Sequence, residues 1–455
     1  MPRITEIDYI AESTRRFHAL LGRPWHVFLD SGRGGTEAAR YDILASDPYV
    51  TLTTRGTVTE IRGPASGEAS ERDPLELLKE RLGRIESQAP RLPFAGGAIG
   101  YLAYDLGRRF ERLPCIASAD IDVPDMALGI YDWACIVDHR ERRSWLVGAG
   151  RDERTFDEWD AILGALEPRG QPALEPFAIA SPIASSFDLE GYRTAFQRVK
   201  EHIRAGDCYQ VNLTQRFEAA ARGHSWPAYL DLRRRSPAPF SAYLGLPAAD
   251  VLSSSPERFL RVAGGRVETK PIKGTRPRSA DPGEDRALAS ELRASPKDRA
   301  ENVMIVDLLR NDLGKACSPG SVRVTKLFDV ESFANVHHLV STVAGRLPPE
   351  RHALDLLRGA FPGGSITGAP KLRAMQIIEE LEPQRRSVYC GAIGYVGFDG
   401  DMDMNIAIRT LLRHGDRIYA WAGGGVVADS EVEAEYQESL DKAAMLLAVL
   451  GRTSA

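Results

Sequence analysis

The sequence predicts an α+β protein, because strand-like and helix-like segments are mixed along the chain without a regular alternation. Short strand-like runs dominate the first 165 residues. Clear helical patterns become frequent only after residue 187, where further strand-like runs lie between them. A doubly wound α/β sheet would show a strict succession of strand and helix, so the sequence disfavours that class.

The N-terminal part contains short apolar runs that are typical of strands, at residues 26–29, 50–54, 127–131 and 135–138. A stretch with four prolines and several alanines follows at 166–186 and has no amphipathic period, which is typical of a linker or crossing segment. We therefore divide the chain into an N-terminal region, a linker and a C-terminal catalytic region, at 1–165, 166–186 and 187–455.

The C-terminal region begins with a predicted helix at 189–205, in which Tyr192, Phe196, Val199 and Ile203 recur near helical spacing. Residues 210–217 alternate as a strand does, and residues 265–269 also resemble a strand. Later segments with helical character lie at 286–293, 297–313, 371–380 and 431–450.

Composition excludes several classes of function. The chain has 455 residues, of which 43% are hydrophobic and 27% charged, as in an ordinary globular protein. Its formal net charge of -5 does not indicate the basic surface that is typical of nucleic-acid-binding proteins. No apolar run approaches membrane-spanning length. The N-terminus lacks the apolar core of a signal peptide, and the five cysteines are scattered without a Cys-x-x-Cys pair. These features predict a cytoplasmic protein without disulfides or a zinc site.

One lysine stands in an unusual context, the segment 271–276 with the sequence PIKGTR. Lys273 lies between a Pro-Ile pair and a Gly-Thr turn, just after a strand-like stretch. An amine becomes a nucleophile when burial or a cationic neighbour lowers its pKa. The alternative is a surface lysine at the end of a strand, and for an isolated lysine this is the commoner case.

Two predicted helices each carry two acidic residues three positions apart: Asp298 and Glu301 on one, Glu435 and Glu438 on the other. This spacing puts both carboxylates of a pair on one helix face. Two such faces across a cleft could hold Mg²⁺, which prefers oxygen ligands and few protein carboxylates. Each pair has an ordinary alternative, since acids in a first helical turn favour the helix dipole or serve as caps.

Glycine-rich segments occur at 362–371 (PGGSITGAPK), at 422–427 (AGGGVV) and at 96–101 (GGAIGY). The first precedes a helix, where free amides suit an anion, but it lacks the lysine of a phosphate loop. Successive glycines in the second let backbone amides approach a carboxylate closely, although a tight turn is the commoner reading. For the third segment we expect only a packing role.

Taken together, these motifs resemble the chorismate-utilising enzymes, and the resemblance runs from about Pro24 to the C-terminal helix. It implies a fold like that of anthranilate synthase component I, with two interleaved β-rich halves and helices on the outside. Within this family the PIKGT sequence resembles the aminodeoxychorismate synthase component I group. Anthranilate synthases usually have alanine at the position of Lys273.

The resemblance also implies roles for individual residues. Lys273 would be the covalent nucleophile. His338 matches a histidine beside the reacting ring, although a histidine satisfied within a strand is the ordinary alternative. Glu257 could act as a general acid for the departing hydroxyl if its pKa is raised, whereas a lone glutamate is otherwise a surface residue. Glu301 and Glu438 match direct Mg²⁺ ligands, whereas Asp298, which replaces a commoner glutamate, and Glu435 complete the two acidic faces. The expected substrate-binding residues are Ser365, Tyr395, Arg409, Gly424, Gly425, Thr275 and Lys442.

The implied reaction converts chorismate and ammonia to 4-amino-4-deoxychorismate, a step toward 4-aminobenzoate and folate. Gln210 stands where isochorismate and salicylate synthases have a general-base lysine, and a glutamine cannot take a proton from water. Water is therefore not the expected nucleophile. Because no segment resembles a glutaminase, ammonia is expected to come from a glutamine amidotransferase subunit.

Two alternatives stay open at this point. The first is anthranilate synthase component I, which adds ammonia at C2 and eliminates pyruvate. The second is a sensing subunit without catalysis, since residues 28–32, 40–42 and 239–241 resemble the walls of the family's tryptophan pocket. Ala38 and Ala39 replace polar residues of that pocket, so we expect weak tryptophan binding or none.

Overall fold

The computed structural model describes residues 2–32, 39–64, 67–85, 92–168, 170, 173–333 and 336–451, so the tryptophan-pocket position 38 lies outside the described residues. The strands are β1 (Arg3–Ile7), β2 (His26–Asp30), β3 (Tyr41–Ala45), β4 (Val50–Arg55), β5 (Val58–Arg62), β6 (Gly67–Ser70), β7 (Gly97–Leu102), β8 (Met126–Tyr131), β9 (Trp133–Asp138), β10 (Arg143–Gly148), β11 (Ala178–Ile179), β12 (Ala184–Ser185), β13 (Gln210–Arg222), β14 (Phe240–Gly245), β15 (Asp250–Ser255), β16 (Arg258–Ala263), β17 (Arg266–Thr269), β18 (Ile272–Pro277), β19 (Arg323–Ser332), β20 (Val336–Arg346), β21 (Gly368–Ala369), β22 (Ala392–Gly397), β23 (Met402–Ile406), β24 (Thr410–His414) and β25 (Arg417–Val426).

The α-helices agree closely with the helical patterns of the C-terminal region, and several begin at a capping residue that the sequence provides. Ser295 accepts a hydrogen bond from the Asp298 amide at the start of one helix, and Pro296 occupies its first turn. The helices are α1 (Thr14–Phe17), α2 (Pro74–Leu82), α3 (Glu153–Asp157), α4 (Trp159–Ala165), α5 (Leu189–Arg204), α6 (Ser225–Arg235), α7 (Pro282–Ala294), α8 (Pro296–Gly314), α9 (Ala353–Ala360), α10 (Lys371–Leu381) and α11 (Val432–Leu450).

The strands form two large antiparallel sheets, and each sheet takes strands from both parts of the chain. The first runs in the order β1-β10-β9-β3-β2-β14-β15-β24-β25-β13-β11. The second runs β18-β20-β17-β16-β23-β22-β7-β8-β4-β5-β6. N-terminal and C-terminal strands meet where β2 pairs with β14 and where β7 pairs with β22. This confirms the predicted α+β fold with two interleaved β-rich halves.

The main core lies between the two sheets. It contains residues of the first sheet, such as Val27 and Ala242, together with Leu128 and Met404 of the second. A second core packs the outer face of the first sheet against helices, where Trp226 of α6 packs against Phe28 and Leu446 of α11 belongs to the same apolar cluster. The helices therefore lie outside the pair of sheets, because their apolar faces cover sheet surfaces that would otherwise be exposed to solvent.

The proposed division at 166–186 remains a prediction, but the structure shows how this stretch runs. Its two short strands, β11 and β12, both pair with the long strand β13. The glycine-rich segment at 96–101 enters the second sheet as β7, where an added Cβ on Gly100 would lie 2.0 Å from the Ala127 carbonyl oxygen. No helix in the described ranges is both long and apolar enough to span a bilayer.

Candidate functional site

A cavity of about 590 Å³ opens between the ends of the two sheets. Its walls come from β18 and β20, the start of α8, the segment before α10, and the glycine-rich end of β25. Residues of β13 and the first turns of α11 complete it. With one exception, every residue for which a catalytic, substrate-binding or metal-binding role was predicted lies in this wall. Segments more than 200 positions apart in the chain thus converge on one site.

Lys273 reaches the cavity from an irregular part of β18. The register between β18 and β20 shifts between Ile272 and Thr275, so one extra residue is inserted on the β18 side. Gly274 supplies the positive φ of 79° that this bulge requires, and a Cβ there would lie 2.8 Å from Cγ of Asp298. The expected Gly-Thr turn is therefore wrong: the segment continues as a bulged strand.

The electrostatic surroundings of Lys273 favour its neutral form. Burial lowers the pKa of this amine from its ordinary value, and the nearby Lys442 ammonium acts in the same direction. The carboxylates of Glu301, Glu257 and Glu438 oppose this shift without cancelling it. The Nζ atom donates a hydrogen bond to the Ser365 carbonyl oxygen at 3.3 Å. A lysine held in this way can lose its proton closer to neutral pH than a surface lysine.

Glu257 lies in the two-residue link between β15 and β16 and is buried. Burial raises the pKa of its carboxyl group, while the Ser365 hydroxyl and the Lys273 amine partly offset the effect. A carboxyl group with a raised pKa retains its proton nearer to neutral pH, so it can act as an acid.

His338 lies directly opposite Thr275 in the β18–β20 ladder. The Thr275 hydroxyl and Nδ1 of His338 are 2.9 Å apart, and the ring stands edge-on to Phe333 with 5.3 Å between centroids. Burial, reinforced by the charge of Arg409, lowers the pKa of His338 to about 3. The imidazole is therefore neutral at physiological pH and offers a hydrogen bond rather than a charge.

Arg409 does not lie in a strand, contrary to the expectation from the sequence. It falls between β23 and β24 with a φ of 50°, in the left-handed region. Burial lowers the pKa of its guanidinium, and within the described part of the chain no side chain pairs with it. A desolvated guanidinium without a counter-ion is suited to a carboxylate ligand, which it can bind through two parallel hydrogen bonds.

Tyr395 is the exception among the predicted residues, because it does not line the cavity. It stands in β22 opposite Asp403 and packs against Phe94, with 5.4 Å between the ring centroids. The tyrosine in the cavity wall is Tyr389, six positions earlier, which also stacks on Trp421. Tyr395 is therefore not among the residues that line the cavity, and its role in substrate binding stays a prediction. Tyr389 is a further candidate.

The triple glycine at the end of β25 forms one side of the cavity because no side chain would fit there. A Cβ on Gly423 would lie 2.2 Å from the Leu213 carbonyl oxygen, and one on Gly425 would lie 2.1 Å from Nε2 of Gln210. At Gly424 it would come within 3.0 Å of a carboxylate oxygen of Glu435. The backbone itself is thus exposed to a ligand at these positions.

The four acidic candidates line the same cavity but have different partners. Asp298 pairs with Arg276 at 3.4 Å. Glu438 pairs with Lys442, whose Nζ lies 2.6 Å from Oε1 and also donates to the Gly423 carbonyl oxygen at 3.1 Å. Burial raises the pKa of Glu301, which the charges of Lys273 and Lys297 partly offset.

Glu435 has one carboxylate oxygen that accepts no hydrogen bond from the described residues. Its Oε1 accepts a hydrogen bond from the Ser430 hydroxyl at 2.6 Å, and its Oε2 is buried without a hydrogen-bond partner among the described residues. Across those residues, no three His, Cys, Asp or Glu side chains stand at the mutual spacing of a preformed metal site. The carboxylates nevertheless fit Mg²⁺, because this ion commonly takes only one or two protein carboxylates and completes its shell with water and substrate oxygens.

Sequence reasoning did not select several residues of the cavity wall, including Asn212, Tyr389 and Lys297. Asn212 and Tyr389 are nearly buried polar side chains at the cavity surface, a property that appears only once the chain is folded. Lys297 is adjacent to Asp298, so its position at the start of the same helix could have suggested it.

Comparisons with known proteins identify the family of the chain. The family model of chorismate binding enzymes matches residues 26–448. Aminodeoxychorismate synthase component 1 from Klebsiella aerogenes is 51% identical over 95% of each chain, and that from Escherichia coli K12 is 49% identical over 95% of this chain and 94% of its own.

Among solved structures, anthranilate synthase component I from Streptococcus pneumoniae is similar with a TM-score of 0.81 and 34% identity. The similarity covers 89% of this chain and 92% of that one. With both the sequence match and the site in place, the chain belongs to the family of chorismate binding enzymes.

Proposed function

We propose that this chain converts chorismate and ammonia to 4-amino-4-deoxychorismate, as an aminodeoxychorismate synthase component 1. The observation that carries the proposal is Lys273, an amine with a lowered pKa in the wall of the cavity. The names of the relatives at about half identity support the same activity. Anthranilate formation needs no such amine, so this observation disfavours the alternative.

In the first chemical step, the neutral amine of Lys273 adds to C2 of the chorismate ring. The two conjugated ring double bonds shift, from C1=C2 and C5=C6 to C1=C6 and C4=C5, and the bond between C4 and its hydroxyl oxygen breaks. In this proposal Glu257, whose pKa is raised by burial, donates a proton to that oxygen, so that the oxygen leaves as water rather than as hydroxide. The amine nitrogen, now bonded to carbon, gives up a proton. Splitting the substitution in this way replaces one difficult step with two easier ones.

In the second step, ammonia attacks C4, both ring double bonds return to C1=C2 and C5=C6, and the bond between C2 and the lysine nitrogen breaks. The lysine regains a proton and leaves as the free amine. The neutral His338 imidazole and its partner Thr275 lie beside the space the ring would occupy and can fix its orientation. Ammonia comes, in this proposal, from a glutamine amidotransferase subunit.

Substrate binding relies on the unpaired Arg409 guanidinium and on the exposed backbone of Gly424 and Gly425. Chorismate carries two carboxylates, which match one cation and a run of approachable amides. Ser365 and Lys442 lie within the same wall and complete the set of polar groups around it.

Glu301 and Glu438 would hold Mg²⁺, with Glu435 and Asp298 on the same two helix faces. When bound, the ion supplies positive charge that neutralises a substrate carboxylate among these acids. Without that charge, a carboxylate ligand would meet four acidic side chains, and like-charge repulsion would oppose its binding.

Identification of the product tests the proposal directly. The purified chain is incubated with chorismate, Mg²⁺ and ammonium at alkaline pH, and the products are separated and identified by mass. We expect 4-amino-4-deoxychorismate without release of pyruvate. Formation of anthranilate and pyruvate would instead assign the chain to the anthranilate-forming branch.

A further inference from the structure

Asn212 lines the cavity and connects strand β13 to the segment before α10, which the sequence pattern of the strand does not indicate. Its side chain is 8% exposed and points from β13 toward the segment before α10. The Nδ2 atom donates to the Ser365 carbonyl oxygen at 2.9 Å, and Oδ1 accepts from Nε2 of Gln210 at 3.2 Å. Because both ends of the amide have partners, its orientation is determined.

The backbone of Asn212 is tied to the same segment. Its amide nitrogen donates to the Thr367 carbonyl oxygen at 2.8 Å. The buried guanidinium of Arg386 donates to the Asn212 carbonyl oxygen at 2.7 Å and to that of Ile366 at 2.9 Å. Ser365 and Thr367 are thus hydrogen-bonded to Asn212 itself, and Ile366 to the Arg386 guanidinium that also binds Asn212, so the position of the Ser365 carbonyl group is fixed.

The Ser365 carbonyl oxygen has a second donor, the Nζ atom of Lys273 at 3.3 Å. A carbonyl oxygen can accept two hydrogen bonds, so the asparagine amide and the lysine amine can share it. The other groups whose charges act on this amine are Glu301, Lys442, Glu257 and Glu438. Among the described residues, this carbonyl is the group to which the amine donates a hydrogen bond, so it sets where the nitrogen stands.

We propose that Asn212 is a positioning residue for the Lys273 amine and acts through the carbonyl group of Ser365. The inference rests on the proposed role of Lys273 as nucleophile. Without the Nδ2 donor, the carbonyl would lose its fixed direction, and the amine would spend less time in a geometry that can reach the substrate. Misplacement of a reacting group by about 1 Å can cost on the order of 100-fold in rate.

The experiment uses Asn212→Ala and Asn212→Asp in the full chain. With chorismate and without ammonia, the rate of lysine adduct formation is followed by intact-protein mass spectrometry at several chorismate concentrations, so that the maximal rate and the apparent Kd come from the same data. For Asn212→Ala we expect adduct formation to slow by about 10- to 100-fold with an unchanged Kd. A merely structural role would weaken both together.

A second readout needs no chorismate. Acetylation of Lys273 by acetic anhydride is measured against pH by peptide mass spectrometry. Asn212→Asp replaces the donor with a negatively charged acceptor, which stabilises the ammonium form, so the midpoint of Lys273 acetylation should move to higher pH. Because this readout is independent of the product formed, it separates a failure of the Asn212 inference from a failure of the proposed function.

Asn405→Ala is the matched control. Asn405 is an equally buried asparagine that donates to the Phe240 carbonyl oxygen at 2.8 Å and accepts from the Ile393 amide at 2.9 Å, but it does not line the cavity. The Asn405→Ala variant should have a lower melting temperature than the parent chain and the same rate of adduct formation. If Asn212→Ala is too unstable to purify, the nearly isosteric Asn212→Asp carries the test alone. Parent rates and a parent acetylation midpoint in Asn212→Asp, or equal slowing in Asn405→Ala, would overturn the inference.

Discussion

Lys273 and Glu257 stand in the same cavity wall with opposite pKa shifts, and both shifts have burial as their largest cause. Burial lowers the pKa of the lysine and raises that of the glutamate. The two groups also interact, since each favours the charged form of the other. Burial thus brings the pKa values of the two side chains closer together. The proposed first step needs this, because the lysine must be neutral while the glutamic acid still holds its proton.

The rate of adduct formation should therefore depend on pH with two limbs. It should rise as Lys273 loses its proton, with a midpoint below the ordinary lysine value of 10.5, because the pKa of this amine is lowered. It should fall as Glu257 ionises, at a pH above the ordinary value of 4.5. Rapid-quench mass spectrometry across pH would measure both limbs.

Glu257→Gln isolates the acid. The amide cannot donate a proton to the leaving hydroxyl, so we expect adduct formation to slow by about 100- to 10,000-fold and the limb assigned to Glu257 to disappear. The parent and variant are compared by the same rapid-quench assay. A variant that keeps both the rate and the limb would show that another group protonates the hydroxyl.

Lys273→Ala should abolish the adduct. In the parent chain, incubation with chorismate and no ammonia should add a mass equal to chorismate minus water, and peptide mapping should assign it to Lys273. The alanine variant has no amine, so it should show no adduct and only slow product formation, with residual attack shifted toward C2. The same product made at the parent rate would exclude the covalent route.

Much of the fold could be predicted from the sequence because its cues are local. The helix expected at 297–313 is α8, and its start follows from Ser295 and Pro296, which satisfy the first helical turn in any context. The interleaving of the sheets is different. It depends on pairing between β2 and β14, more than 200 residues apart, and only the family resemblance predicted it.

The sequence says least about side chains whose orientation depends on local backbone conformation or on packing against a distant segment. Tyr389 and Tyr395 lie in one short segment, and nothing in their spacing shows which of them faces the cavity. Arg409 follows a strand-like sequence but adopts a left-handed conformation between two strands. Asn212 alternates with apolar residues, a pattern typical of a solvent-facing side chain, yet the segment before α10 covers it.

Tyr389→Phe and Tyr395→Phe form a matched pair, because each removes one hydroxyl, from a buried ring at Tyr389 and from a partly buried ring at Tyr395. Tyr389 lines the cavity, so its loss should raise KM for chorismate by a few fold, the effect of one hydrogen bond worth about 1 kcal/mol. Tyr395 does not line it, so its variant should keep the parent KM. Steady-state kinetics on both variants would decide, and an effect of Tyr395→Phe alone would reverse the assignment.

Glu438→Gln tests the metal site. The substitution removes a negative charge from the acidic face of α11, so the Mg²⁺ concentration for half-maximal activity should rise by more than about tenfold. Glu433→Gln is the control on the same helix, since Glu433 is exposed and pairs with Arg193 away from the cavity. Magnesium titrations of both variants should differ, and an unchanged titration for Glu438→Gln would remove this residue from the site.

The lowered pKa of Lys273 also predicts a cost in stability. Below pH 10.5 the unfolded chain binds a proton at this lysine more readily than the folded chain does, so burial of the amine disfavours folding there. Lys273→Met removes that cost and should raise the free energy of unfolding at neutral pH. The gain should shrink as the pH rises toward 10.5, where the amine is increasingly neutral in both states.

Lys326→Met, at an exposed position of β19, should change stability by less than about 0.5 kcal/mol. Urea unfolding of both variants between pH 7 and 10 measures the difference. Equal stability of Lys273→Met and the parent at pH 7 would contradict the lowered pKa on which the proposed nucleophile depends.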